Sequence, residues 1–322
     1  MSILDDIARP FWLSGLNQIS GPQLKGVGGL ICDENYQIYS QMTPTSFELS
    51  FTEPEPCLRA FAGDISRIGS ASFESVLGVT KSKVLPKSTA WLIIQTYYSA
   101  FFSAHALLRT LGESCTQIER AQVSSLMRVG NLFGTAPASH LAGGLYHLIC
   151  DKRARTISGT ALSGSSHEVF WRVFYERVLR LSNEALSVST ESLANRQLAS
   201  AKLSELGKNL CFRSAPRGRW LSTIRNTVNY SQRLAAWHPY SGRQNYYGQL
   251  FEKIYEWGED PLDLDLSSYG DKDLRRFQAS CNFIIATFRS TTADMASRCT
   301  TGRSFHDFGV LACLNLANRA RT

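Results

Sequence analysis

Residues 91–108 read WLIIQTYYSAFFSAHALL, and this stretch decides the fold. Trp91, Ile94, Tyr98, Phe101, His105 and Leu108 recur at i, i+3, i+7, i+10, i+14 and i+17, the spacing of one helix face. Further apolar residues flank that stripe. A helix over about Lys87–Leu111, apolar around most of its girth, belongs in the centre of a bundle, and Gly112 is placed to end it. Gln95, Thr96, Ser99, Ser103 and His105 would be costly in the middle of a bilayer, so the stretch reads as a buried helix and no membrane is expected.

The same period continues on either side. Phe170, Phe174, Val178 and Leu181 share a face of a helix over about His167–Leu186. Leu274, Phe277, Cys281, Ile284, Ile285 and Phe288 do so over about Lys272–Thr291. Gly, Ser and Pro make loops of 155–166, 212–219 and 240–248. Residues 1–20 read as a short arm, and 26–56 as two or three short strands, from the Gly pair, the Asp-Glu-Asn cluster and the alternation SFELSF. The expected architecture is mainly α, a helical bundle with a short strand-containing N-terminal segment. It divides into an arm over 1–56 and a helical domain over 57–322.

Composition fits a folded chain of 322 residues: 43% hydrophobic, 11% aromatic and 19% charged. Eight scattered cysteines form no CxxC and read as reduced thiols, and the opening MSILDDIARPFWLSG lacks the long apolar run of a secretory signal. A cytoplasmic location is expected. His140, His147 and Cys150 are too loosely spaced for a zinc set, so no metal and no cofactor are expected. Nucleotide-loop, nucleophile-elbow and HExxH signatures are missing, and VGGL at 27–30 lacks dinucleotide-binding spacing.

Charge is concentrated. The chain has 34 Lys and Arg against 27 Asp and Glu, a net +7. Between Glu205 and Glu252 no acid occurs, while Lys208, Arg213, Arg217, Arg219, Arg225, Arg233 and Arg243 all fall there. Six of these are arginines, whose forked guanidinium suits phosphate oxygens. Phe212, Trp220, Tyr230, Trp237, Tyr240, Tyr246 and Tyr247 are interleaved, as rings that stack on unpaired bases would be. A polyanion surface is expected. The competing reading has Glu176, Glu184, Glu191 and Glu205 neutralise it.

Within this window WLSTIRNTVNYSQRLAAWHPY (220–240) places Trp220, Leu221, Ile224 and Val228 on one side of a helix that Pro239 would stop. Arg225, Asn229 and Arg233 form a polar ridge at i, i+4 and i+8, with Asn226 and Tyr230 beside it. Metal-free RNA cleavage needs a base for the 2′-hydroxyl, an acid for the leaving oxygen and a cation over the phosphorane. Arg225 suits the last role, and Asn226 and Asn229 could hold phosphate oxygens. His238, at the expected helix end, is the nearest imidazole in sequence. His105 lies on the apolar stripe, where a satisfied core histidine is the commoner case, and Tyr97 and Tyr98 read chiefly as core.

The central helix segment YYSAFFSAHALLRTLG (97–112) and the later IRNTVNY (224–230) together resemble HEPN domains. These are helical bundles in which one helix carries Arg, commonly Asn next, and a His with four to six residues between it and the Arg. The resemblance spans about 86–240, with an insert over 112–210 and C-terminal helices over 245–322. It implies a metal-independent ribonuclease of toxin or antiviral-defence type, an RNA substrate, a homodimer with two motifs at one cleft, and an antitoxin or defence-system partner protein. Arg225 and Asn226 match. Tyr230, Ser231 and Gln232 stand where the His belongs. Arg233 and His238 satisfy the bare spacing, but Leu234 replaces the usual polar neighbour.

The site so expected has Arg225, Asn226, Asn229, Tyr230 and His238 as catalytic residues, and Lys208, Arg213, Arg217, Arg219, Arg233 and Arg243 binding RNA. The alternative is a non-catalytic module that binds RNA or a partner protein through the same face.

Overall fold

The computed structural model describes residues 2–81, 89–237, 250, 252–267 and 272–319. Its centre is the helix that the 91–108 stretch announces, α4 (Thr89–Thr110), which follows α3 (Glu55–Lys81). Gly112, at φ 78°, turns the chain out of α4 into a strand. Helices α3 and α4 lie against each other along their length. Where they come closest the side chains are small: the Ser72 hydroxyl donates to the Ser99 carbonyl at 2.8 Å and lies 2.7 Å from Ser103 Oγ. Each hydroxyl buried in this seam is satisfied, so close packing carries no desolvation penalty.

A four-stranded antiparallel sheet covers one end. β1 (Ser46–Ser50), β2 (Glu113–Ile118), β3 (Gly144–Cys150) and β4 (Thr156–Ala161) run in the order β1-β4-β3-β2. Only β1 lies in the expected strand region. Residues 27–32, inside the stretch expected to hold two or three short strands, form the short helix α2 (Val27–Cys32), because Val27, Leu30 and Ile31 bury together as one helical face. The loop expected over 155–166 contains β4, whose Gly and Ser content hid an alternation set by pairing with Phe47 and Leu49. Residues 1–20 are no free arm. Helix α1 (Ile3–Ala8), closed by a Ser2–Asp5 capping box, brings Leu4 and Ile7 into the main core, and Trp12, Leu13 and Leu16 follow them there.

α5 (Arg120–Leu132) follows β2, α6 (Ser166–Ala185) follows β4, and α7 (Leu193–Leu210) pairs with α6. α8 (Trp220–Asn229), α9 (Asp273–Ser297) and α10 (Val310–Arg319) follow. Of these helices, α6, α8 and α9 pack on α4, and the rest pack on its neighbours. Phe61, Phe73, Tyr97, Phe170, Trp171, Trp220, Phe277 and Phe288 are fully buried in one continuous core. Each contributes about 2–3 kcal/mol of apolar burial, against the entropy of ordering it. Among the described residues no helix is long and apolar enough to cross a membrane. All eight cysteines are free.

Candidate functional site

Three elements meet at Arg225. α8 supplies it from a helix whose Trp220, Leu221, Ile224 and Val228 are buried. The helix ends at Asn229 rather than running on toward Pro239, so the expected ridge through Arg233 does not form. Arg225 itself does not point to solvent. It is 5% exposed, over Tyr97 and Tyr98 of α4, with ring centres 5.5 Å from its guanidinium carbon.

The third element is the start of α6. Arg225 Nη2 lies 2.7 Å from His167 Nε2 and donates to the Tyr98 hydroxyl at 3.2 Å; Nη1 donates to Asn226 Oδ1 at 2.7 Å and reaches the Tyr230 hydroxyl at 3.4 Å. Arginine only donates, so His167 Nε2 must offer its lone pair and the ring proton resides on Nδ1. That proton is directed at the Tyr97 hydroxyl, 2.9 Å away, which also accepts from Trp171 Nε1 at 2.9 Å. The network is closed only with a neutral imidazole. Burial, reinforced by the Arg225 charge, accordingly pulls the His167 pKa down to about 4. Burial likewise pushes the Tyr97 phenol up.

Every partner of Arg225 among the described residues is therefore uncharged. No carboxylate reaches it among the described residues, and its Nε is buried without a hydrogen bond. The contrast with the other buried arginines is sharp. Arg109 faces Asp64 at 3.3 Å, and Arg177 faces Glu184 at 2.8 Å and Glu113 at 3.4 Å. A buried cation that lacks an anion is costly, by several kcal/mol in general, and the cost falls when an anion arrives. The opening is on one side: His167, Tyr98 and Asn226 are half-buried, and Tyr230 is 72% exposed.

Gly218 makes this meeting possible. At φ +81°, its position for a Cβ would lie 2.5 Å from Tyr175 Cβ and 2.9 Å from the Trp171 carbonyl, so the chain entering α8 can press directly on α6. The neighbouring turn holds Arg213 and Arg217 in left-handed backbone, both at φ 52°, with their side chains exposed.

Of the residues expected from sequence, Arg225, Asn226 and Tyr230 come together. Asn229 closes α8 and takes no part in this network among the described residues. His238 and Arg243 lie outside the described residues. Lys208, Arg217 and Arg233 are exposed. Arg213 is tied to Asp273 at 2.8 Å, and Arg219 approaches Glu168 at 3.5 Å. The neutralising acids are thus not Glu176, Glu184, Glu191 or Glu205; Glu184 serves Arg177. A groove of about 380 Å³ beside the start of α6 is lined by Arg172, Arg217, Arg219 and Glu168. His147 sits 2.9 Å from Glu113, away from this site.

His167 is the residue that sequence reasoning passed over. It opens a helix within the long insert, far from Arg225 in the chain. One signal was present: His167, Phe170 and Phe174 stand at i, i+3 and i+7, so the imidazole extends the core-facing stripe of α6 by one turn. The expected order of α4 also changes. Tyr98, Phe101 and His105 face the site and the adjoining cavity, while Trp91, at the head of that stripe, is 55% exposed and packs edge-on against Trp237. His105 stacks on Phe170 at 3.6 Å, and burial with nearby Arg109 keeps its pKa well below normal.

Neither a protein-family model, nor a curated protein, nor a solved structure matches this chain.

Proposed function

We propose that this protein is a HEPN-like, metal-independent endoribonuclease in which Arg225 binds the scissile phosphate and His167 replaces the imidazole missing from the 224–230 motif. The observation that carries the reading is the buried Arg225 guanidinium, surrounded only by neutral partners and 2.7 Å from a histidine lone pair. A phosphodiester is the anion such a site lacks, and the forked guanidinium matches two of its oxygens.

The chemistry follows from the donors and acceptors. When a phosphate draws Arg225 onto its oxygens, Nε2 of His167 is released with its lone pair free. That lone pair takes the proton of the 2′-hydroxyl, and the 2′-oxygen attacks phosphorus. Tyr97, accepting from Nδ1, holds the ring in the required tautomer and stabilises the imidazolium that forms. Tyr98 accepts from Arg225 and keeps its own O–H, which is directed to the leaving 5′-oxygen. Arg225 and the remaining Asn226 amide protons bear on the phosphorane charge. The products are a 2′,3′-cyclic phosphate and a 5′-hydroxyl, and one proton has passed from His167 back to Tyr98 by the end of the cycle. In this reading RNA is the substrate and a second copy of the chain is the partner that places two such motifs at one cleft.

The test is incubation of the purified chain with mixed cellular RNA, tRNA included, in excess chelator. Cleavage that survives chelation supports the reading. Intact RNA together with salt-dependent binding would replace it with a non-catalytic RNA-binding module.

A further inference from the structure

A cavity of about 660 Å³ opens next to the Arg225 site, on the other side of Phe101. It is built by five elements. α4 gives Phe101, Phe102, His105 and Arg109; α3 gives Asp64, Arg67 and Ile68; β2 gives Thr116 and Gln117. The chain entering α2 and the first turn of α5 close the rest, through Lys25, Gly26, Gly28 and Gly29 and through Glu119 and Gln122. Gly63 lets the entry to α2 lie on α3, since a Cβ there would sit 2.0 Å from the Lys25 carbonyl oxygen.

The cavity and the site lie side by side along one face of α4, with Phe101 between them. Phe102 packs on Tyr98 at 5.9 Å, and Phe101 packs on both His167 at 4.5 Å and His105 at 4.6 Å. An RNA strand with its phosphate on Arg225 would bring a neighbouring nucleotide to this mouth.

The lining matches a base better than a phosphate. Its charges balance once Glu119 of the lining is counted: the buried Asp64 carboxylate is shared by Arg67 at 2.5 Å and Arg109 at 3.3 Å, and Lys25 is held by Asp33 at 2.8 Å. The walls are aromatic and aliphatic, through Phe101, Phe102 and Ile68. The rim offers neutral polar edges. Gln117 is exposed, with no side-chain bond among the described residues. Arg109 donates toward His105 Nδ1 at 3.3 Å, which puts the His105 proton on Nε2, where it meets no hydrogen-bond acceptor among the described residues. An aromatic wall with amide and imidazole donors is the usual chemistry for holding an unstacked nucleobase.

We propose that this cavity is a nucleobase subsite for single-stranded RNA, with the base against Phe102 and its edge read by Gln117 and His105. The proposal rests on the ribonuclease reading for the strand that it serves, but base binding is measurable without cleavage.

The test titrates the full chain with AMP, GMP, CMP and UMP, and with ribose 5-phosphate as the base-free control, following saturation transfer to ligand protons. At least one nucleotide is expected to show saturation transfer to its base protons and to bind more tightly than ribose 5-phosphate, which has only the Arg225 phosphate site to occupy. Phe102→Leu, which keeps the apolar bulk and removes the ring, should weaken binding about fivefold or more, the low end of base–aromatic stacking. Gln117→Ala, at an exposed position that cannot unfold the chain, should change the ranking among the four bases. Binding equal in wild type and both variants, or equal binding of ribose 5-phosphate, would overturn the subsite. RNA cleavage without Phe102-dependent base binding would sink this inference alone, and base binding without cleavage would sink the ribonuclease reading alone.

Discussion

Arg225 Nη2 and His167 Nε2 are 2.7 Å apart, and because arginine cannot accept a hydrogen bond this contact fixes the imidazole as neutral with its proton on Nδ1. The pairing joins α8 to the opening turn of α6, and it forces an acid sensitivity on the fold. His167 stays neutral down to about pH 4 in the native state and takes a proton near 6.5 when unfolded. Between these values the unfolded chain holds the extra proton, so stability falls as pH falls from 6.5 toward 4. Denaturant midpoints at pH 7.5, 6 and 5 should fall more steeply for wild type than for His167→Gln. His105 and His306, also held neutral by burial, remain in both proteins, so the difference isolates His167. Parallel curves would show that the Arg225 contact does not control this titration.

The two adjacent tyrosines should separate by role. Tyr98→Phe removes the hydroxyl directed at the leaving oxygen and is expected to lower the cleavage rate about 100-fold with little change in KM. Tyr97→Phe removes the acceptor of the His167 Nδ1 proton and of Trp171 Nε1. As a positioning residue it should displace the acid limb of the pH–rate profile as well as the rate. The check is kcat against pH for both variants on one RNA; identical profiles would contradict the assignment.

Gly218 should tolerate no side chain. Gly218→Ala places a Cβ against Tyr175 and the Trp171 carbonyl in left-handed backbone. The expected cost is roughly 1–3 kcal/mol in chemical unfolding. Activity should fall more than stability accounts for, because α8 is displaced from α6. A neutral variant would show that this close approach does not set the Arg225–His167 distance.

How much of this was legible in the sequence follows from where the contacts lie. The α4 stripe was readable because eighteen residues of local periodicity carry it, and α6 and α9 were readable for the same reason. Residues 27–32 were misread because Gly28 and Gly29 look like turn residues, yet Val27, Leu30 and Ile31 bury as a helical face. β4 was missed because Ser158, Gly159 and Thr160 carry no apolar alternation; Gly159 is small to make room for Phe47, whose ring would be 2.4 Å from a Cβ there. Arg225, Asn226 and Tyr230 were visible as neighbours on one helix. His167 was not, since the distance that makes it functional is set by tertiary packing 58 residues away.

The cationic window should act unevenly. Lys208, Arg217 and Arg233 are exposed and make no ion pair among the described residues, whereas Arg213 is tied to Asp273. Each of Lys208→Ala, Arg217→Ala and Arg233→Ala is expected to reduce the slope of log K against log salt by about 0.7–1 for single-stranded RNA. Arg213→Ala should change it less, because Asp273 already neutralises that charge. Fluorescence anisotropy between 50 and 300 mM salt, about the range in which counterion release dominates, reads these slopes. Equal effects at all four positions would show that Asp273 releases Arg213 on binding.

The most direct measurement compares wild type, Arg225→Ala, His167→Ala and the double variant on one defined RNA oligomer in excess chelator, with product ends identified. Wild type should yield 2′,3′-cyclic phosphate and 5′-hydroxyl ends. Each single variant should lose about 100-fold or more of the rate, and the double variant little beyond either one, since the two groups act as a unit. Cleavage by His167→Ala at the wild-type rate, or RNA left intact by a wild-type chain that binds it, would contradict the account.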